Sequence, residues 1–297
     1  MKTTNKAILY AGVAVLSWST VATAFKLALR QQTHFEMLLV ASCTAFVILA
    51  ATMTIQAKWG QLTRLSGKQW GVYALIGLLN PALYYLVLFK AYALLPAQIA
   101  QPINYAWPIL LLLLIAAFGH QPIRHKKYIG MALSLGGVVL ISVGSGQVQQ
   151  SAIPVTGLLL ALLSALLWAT FWLINKMNEK TDSTVNLFVI FLFGSGYLLF
   201  STLLIPVHLS FGSSMYASIY IGAFEMAIPF IFFSMALKST NNPAFINQLC
   251  YLAPFISLLL IHFVLKEHIY TTTFFGLILI IVGIVFNEYF ASAAKTK

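Results

Sequence analysis

Ten apolar runs divide the chain, at about 7–29, 34–56, 70–94, 96–118, 126–144, 153–176, 184–206, 214–237, 243–265 and 270–291. At 1.5 Å per residue, a helix needs roughly 20 residues to cross the hydrocarbon of a bilayer. The runs are too long for buried strands, and the ten-residue alternation of a closed barrel is absent. Turn and breaker residues separate them: Ser66-Gly67, Pro96, Pro122, Gly144-Ser145-Gly146, Pro154, Pro206, Gly212 and Pro243. The pattern predicts an all-α polytopic membrane protein with ten transmembrane helices.

Composition agrees. Of 297 residues, 60% are hydrophobic and 8% charged, against about 25% charged in a soluble domain. Disordered, collagen-like and disulfide-scaffold chains are excluded on the same figures, and no length remains for a soluble nucleotide-binding domain. Cys43 and Cys250 both fall inside apolar runs, which gives no support to a disulfide or metal framework. The net charge of +11 would suggest a nucleic-acid partner in a soluble protein. Here the basic residues sit in short loops, where they orient helices. With a cytoplasmic N-terminus, thirteen basic residues lie inside: Lys2, Lys6, Lys58, Arg64, Lys68, Arg124, Lys126, Lys127, Lys176, Lys180, Lys238, Lys295 and Lys297. Arg30 and Lys266 lie outside. Both termini are therefore expected to be cytoplasmic, in the inner (plasma) membrane, which requires an even number of spans. Lys2, Lys6 and Ala22-Thr23-Ala24 mimic a signal peptide. A retained first helix is expected instead, because it has a counterpart later in the chain.

That counterpart belongs to an internal repeat, residues 1–146 and 147–297. Trp18 and Lys26 answer to Trp168 and Lys176; the segment Phe89–Leu94 answers to Phe232–Leu237. Gln101, Tyr105 and Pro108 answer to Asn247, Tyr251 and Pro254, and Gly130 and Gly137 to Gly276 and Gly283. Each unit holds five spans. An odd number forces the second unit to enter the membrane from the opposite side, so the repeats are inverted. Inverted repeats are the construction of many secondary transporters, since the halves can exchange roles between two access states.

Polar side chains inside the runs are the candidates for chemistry. Gln101, Tyr105 and Pro108, and likewise Asn247, Tyr251 and Pro254, recur at i, i+4 and i+7 and share one helical face. Gln98, Asn104 and Gln248 add amides nearby. Two readings stand: lining of a substrate cavity, or hydrogen-bonded helix packing with a kink. Pro108, Pro229 and Pro254 are the expected kink or gating positions. Trp18, Tyr84, Tyr85, Trp107, Trp168 and Trp172 are mid-run aromatics, suited to stacking on a solute or to an interfacial belt. Glu225 is read as the one intramembrane carboxylate. It is either a proton-coupling residue or a protonated, hydrogen-bonded structural one. Lys90 either snorkels or faces the cavity and holds a carboxylate; Lys26 and Lys176 are expected to snorkel, and His262 to be structural. The glycine pairs present small-residue faces for close packing, suggesting a homodimer interface.

No HExxH, P-loop, GxGxxG or GxSxG motif is present. An enzyme, a metal or a cofactor is therefore not expected. The lipid bilayer and a small-molecule substrate are the expected partners.

The ordered set Trp18 with Lys26, Ala91-Tyr92-Ala93-Leu94, Pro108, Gly130/Gly137, Trp168, Pro254, Lys266-Glu267 and Gly276/Gly283 resembles the EamA-type members of the drug/metabolite transporter superfamily. The resemblance covers nearly the whole chain and implies ten helices in two inverted five-helix repeats. Where that family usually carries a Glu after the fourth helix, this chain has Gln121, and Glu267 is read as a loop residue. Asn104-Tyr105-Ala106-Trp107-Pro108 and Asn175-Lys176 are similar to the aromatic amino-acid exporter branch. The resemblance implies export of an amino acid or similar amphipathic metabolite, with helices three, four, eight and nine around a central cavity. From the residues themselves, Gln101, Asn104, Tyr105, Trp107, Asn247 and Tyr251 are expected to shape the site, with Lys90 and Glu225 as the charged candidates. The rival readings are an importer of a cofactor-like metabolite, an intramembrane enzyme, and a lipid flippase or non-transporting scaffold.

Overall fold

The computed structural model describes residues 2–118, 125–146, 153–175, 181–209, 211–241 and 243–292. Gln121, Pro122, Arg124, Lys176, Lys180, Lys295 and Lys297 lie outside the described residues. Fourteen helical segments run in order: α1 Lys2–Ala28, α2 His34–Ile55, α3 Gly67–Gly77, α4 Tyr84–Leu94, α5 Ala97–Asn104, α6 Trp107–Phe118, α7 His125–Gly146, α8 Val155–Asn175, α9 Ser183–Ser201, α10 Ser213–Ile221, α11 Ile228–Lys238, α12 Pro243–Leu249, α13 Ala253–Leu265 and α14 Thr271–Ser292. They form ten rods, because α3–α4, α5–α6, α10–α11 and α12–α13 are each one span with a break. Nine described helices are long and apolar enough to cross a membrane. The tenth rod, α7, is 22 residues long and packs along α14. The molecule is a multi-pass membrane protein.

The helices alternate in direction, which defines two ends. The turns at 29–33, 95–96 and 266–270 lie at one, called here the Glu267 end. Those at 56–66, 181–182 and 239–241 lie at the other, the Lys58 end. α2 starts with a capping box, Thr33 and Glu36 bonding reciprocally to each other's backbone N–H. Glu36 also accepts from the His208 N–H at 2.7 Å.

The four breaks fall at matching places in the two halves. Residues Leu78–Leu83 and Gly222–Ala227 are wide π-type turns. α5 stops at Asn104 before α6 starts at Trp107, and Cys250–Leu252 is a tight 3₁₀ turn between α12 and α13. Proline explains each. A residue before proline is pushed out of the helical region, and Asn80 before Pro81 is extended (φ −144°, ψ 122°). Pro108, Pro229 and Pro254 each stand in the first turn of the helix that follows a break, where a missing N–H costs least. Each also leaves the carbonyl four residues earlier without its helical donor. Those carbonyls belong to Asn104, Glu225 and Cys250.

The glycine pairs do something other than form a dimer face. α7 and α14 pack on each other antiparallel through them: a Cβ on Gly130 would meet the Gly283 carbonyl oxygen at 2.5 Å, and one on Gly137 would collide with the Gly276 carbonyl. Ser134 Oγ donates to the Ile280 carbonyl at 3.0 Å between them. These faces are used within the chain, so the small-residue stripe offers no surface to a second copy.

Candidate functional site

The broken rods bring their interruptions together in the middle of the bundle. Tyr85 Oη donates to Glu225 Oε1 at 3.1 Å, joining the break in α3–α4 to that in α10–α11. Beside it, Tyr84 Oη donates to Asn104 Oδ1 at 3.4 Å. Asn104 Nδ2 donates in turn to Ser164 Oγ on α8 at 2.9 Å. Both faces of the amide are thus fixed, one by each half of the chain.

Aromatic rings wall this polar line. Tyr84 stacks on Trp168 with centroids 4.6 Å apart. Trp168 also meets Phe171, Trp172 and Phe230 at 5.1, 6.0 and 6.1 Å. Trp18 edges onto Phe230 at 5.6 Å, and Trp107 stacks on Trp172 at 6.3 Å. Tyr105, at the C-terminus of α5, lies within electrostatic range of Glu225 and Cys250. Glu225, Asn104, Tyr105, Trp107, Trp168 and Trp172 sit mid-span yet keep part of their surface accessible. Together they border a candidate cleft around the Tyr85–Glu225 pair.

The cleft has a closed end and an open one. α5 and α13 pack together at the Glu267 end. Their continuations diverge: α6 lies on α8, α12 lies on α1, and the two share no extended interface. The fourth and ninth rods therefore part toward the Lys58 end. There, the loops are tied instead between other rods, by Lys58 Nζ to Asp182 Oδ1 at 2.7 Å and by Lys238 Nζ to Asp182 Oδ2 at 3.7 Å. The Asp182 carboxylate also caps α9 by accepting from the Thr184 N–H at 2.9 Å. Partial burial opposes its ionisation. The Lys58 hydrogen bond, the Thr184 N–H and the charges of Lys58 and Lys238 outweigh this and hold its carboxyl below the usual aspartate range.

Not every expected residue joins this hydrogen-bonded line. Gln101 is buried on α5, and its Oε1 has no hydrogen-bond partner among the described residues. Asn247 is exposed on α12, and no hydrogen bond ties it to the Tyr85–Glu225 pair. Tyr251 turns the other way, donating to Glu288 Oε1 on α14 at 2.6 Å. Glu288 lies next to the end of the candidate span Thr271–Tyr289, so a second carboxylate stands near the membrane edge, while Glu225 stands mid-span. Lys90 is exposed on α4, near His34 rather than Glu225. Lys26, expected to snorkel, instead donates to the carbonyls of Tyr92 and Leu95 at 2.9 and 2.8 Å. Among the described residues no cluster of His, Cys, Asp and Glu could hold a metal ion.

Two broken rods per half, meeting at a polar and aromatic cleft open to one side, form the framework of a membrane transporter. The comparisons with known proteins say the same. The model of the EamA-like transporter family matches the chain twice, over residues 5–143 and 155–289. The chain belongs to the EamA-like transporter family. It is 27% identical over 224 residues to YvbV of Bacillus subtilis (strain 168), described as an uncharacterized transporter, covering 72% of this chain and 70% of that one. A solved crystal structure at 20% identity shares the fold with a TM-score of 0.68, over 98% of this chain and 99% of the other. The protein is thus a transporter of the drug/metabolite superfamily, and not an enzyme.

Proposed function

We propose that the chain is a secondary transporter that exports a small amphipathic metabolite by alternating access. The observation that carries this reading is the placing of four symmetric helix breaks around one cleft, with the fourth and ninth rods joined at one end and parted at the other. A rocking motion that reverses which end is joined moves a solute across without opening a continuous pore. Asn104, Tyr105, Trp107 and Trp168 contact the solute. Their rings suit an aromatic or apolar body, and their amide and hydroxyl groups a polar end. Aromatic and other neutral amino acids are the first substrates to try. Glu225 carries the coupling proton, since it is the carboxylate that faces the cleft.

The orientation follows from charge. Thirteen basic residues against two favour the Lys58 end, with both termini, on the cytoplasmic side of the inner membrane. In that orientation the cleft is open to the cytoplasm, the side from which an exporter loads.

Counterflow in proteoliposomes tests the reading. Vesicles loaded with unlabelled Phe, Tyr, Trp or Thr are diluted into the labelled compound. Transient accumulation that depends on the protein supports transport of that class. Absence of counterflow with every amino acid removes the substrate assignment and turns attention to cofactor-like metabolites, for which import is the alternative direction.

A further inference from the structure

We infer that Lys26, Gln98 and Glu267 form a gate that seals the Glu267 end of the cleft and must release in each transport cycle. The inference rests on the alternating-access reading and assigns residues to it. All three act on helix termini. The Lys26 ammonium, on α1, occupies the last carbonyls of the α4 end, those of Tyr92 and Leu95. A cation belongs there, because the final carbonyls of a helix lack partners and carry partial negative charge. The Glu267 carboxylate, on the α13–α14 turn, accepts from the first N–H groups of α5, those of Ala97 at 3.1 Å and Gln98 at 3.4 Å. An anion belongs there for the complementary reason.

Gln98 completes the seal. Its Nε2 donates to the His268 carbonyl at 2.6 Å, and its Oε1 accepts from the Tyr270 N–H at 3.0 Å. The turn holding Glu267 is therefore fastened to α5 from both sides. Lys26 and Glu267 also attract one another. α1, the α4–α5 hairpin and the α13–α14 pair meet here, and these side-chain bonds add to the packing of α1 and α5 on α13.

Two features suit a seal that opens. Every group in it is a terminal N–H, a terminal carbonyl or a flexible side chain, and water can replace each partner at this end of the bundle. Cavities of about 310 and 540 Å³, both lined by Lys26, Ala93 and Glu267, flank the contact. Release is also transmitted to the cleft, because α5 carries Gln98 at its start and Asn104 at its end.

Thiol accessibility tests the gate without requiring a known substrate. In a Cys43→Ser background Cys250, half-buried beside Tyr105, is the remaining cysteine and reports on the cleft. A membrane-impermeant methanethiosulfonate is applied to intact cells, which present the Glu267 end in the proposed orientation, and to inside-out vesicles, which present the Lys58 end. Cys250 is expected to react in inside-out vesicles and to be protected in cells. Glu267→Gln and Lys26→Met should each raise the rate in cells about tenfold, the population shift expected for loss of a charge-assisted bond, and Gln98→Leu, which removes two neutral bonds, should raise it several-fold. Glu267→Asp and Lys26→Arg should restore most of the protection. Equal rates in cells for the parent and all variants, including no reaction in any, overturn the gate. Counterflow is measured on the same proteins. Transport with unchanged accessibility overturns the gate alone, whereas changed accessibility without counterflow of any amino acid tried leaves the gate and removes the substrate assignment.

Discussion

Tyr85 and Glu225 are 140 positions apart in sequence, yet the phenol of one donates to the carboxylate of the other at 3.1 Å. The bond crosses between the two repeats at the level where both rods leave regular helix. Glu225 sits in a π-type turn whose carbonyls are partly released by Pro229, so the carboxylate is held at a place the backbone can reshape. Motion between the halves changes the surroundings of this carboxylate directly.

Glu225→Gln keeps the volume and an acceptor for Tyr85 but cannot exchange a proton. Counterflow should persist within a few-fold of the parent, while accumulation driven by an imposed pH gradient should be lost. Gradient-driven accumulation at the parental level in this variant would make Glu225 structural.

Trp168 should matter more than Trp107. Trp168 touches four rings, those of Tyr84, Phe171, Trp172 and Phe230, and so fixes the Tyr84 hydroxyl that holds Asn104. Trp107 stacks on Trp172 alone among the described ring pairs. Aromatic pairs contribute about 0.5–1.5 kcal/mol each beyond area burial. Trp168→Ala should therefore reduce counterflow below detection and lower thermal stability. Trp107→Ala should raise the half-saturation concentration with a smaller stability loss. Measurement of both on purified protein decides it, and a Trp168→Ala protein with parental counterflow would exclude the ring wall from the site.

The sequence makes the ten rods and their repeat legible because hydrophobic length and proline position are local properties. The breaks at Asn104–Trp107 and 250–252 follow from Pro108 and Pro254, and Glu225 stands out as a carboxylate in an apolar run. Facing directions are less legible. Periodicity assumes 3.6 residues per turn throughout, but the wide turn at 78–83 and the 3₁₀ turn at 250–252 reset the phase. Lys90 consequently emerges on the outer face of α4, and Tyr251 swings toward Glu288. Glu288 itself escapes notice because it lies close to the end of its run, where a charge resembles an interfacial one. The glycine spacing correctly signals close packing, but spacing carries no information about which helix is the partner. Glu267 is the loop residue the sequence suggests, but its partners, like those of Lys26, are not legible there: they are backbone groups of α5 and of the α4 end, and backbone groups leave no mark in a sequence.

Close approach of α7 and α14 gives a prediction on stability. Gly137 leaves no room for a side chain against the Gly276 carbonyl, and Ile280 Cγ1 would stand 2.9 Å from an added Cβ. Gly137→Val should force the helices apart and destabilise the protein by about 1–3 kcal/mol, the usual cost of overpacking. Gly136, one residue earlier, has open space around an added Cβ. Gly136→Val should be nearly neutral. Thermal unfolding in detergent compares the pair, and equal midpoints would contradict the packing.

Asp182 provides a pH-dependent prediction at the opposite end of the bundle. Its carboxylate holds Lys58 at 2.7 Å and caps α9 through Thr184, with Lys238 at 3.7 Å. These contacts keep the folded carboxyl below its ordinary 3.8. A group whose folded value is depressed stabilises the protein above the unfolded value, and that contribution fades as the pH falls through the folded value. Asp182→Asn retains a good helix cap but removes the charge. Because the ion pair is partly exposed, its loss at pH 7 should cost no more than about 1 kcal/mol, or roughly 1–3 °C in unfolding midpoint. The difference between parent and variant should shrink below the ordinary aspartate value and close only once the pH has fallen through the lowered folded value, where the parent carboxyl is protonated too. A gap that is absent at pH 7, or that widens on acidification, would show that Asp182 does not fasten the Lys58 end by charge.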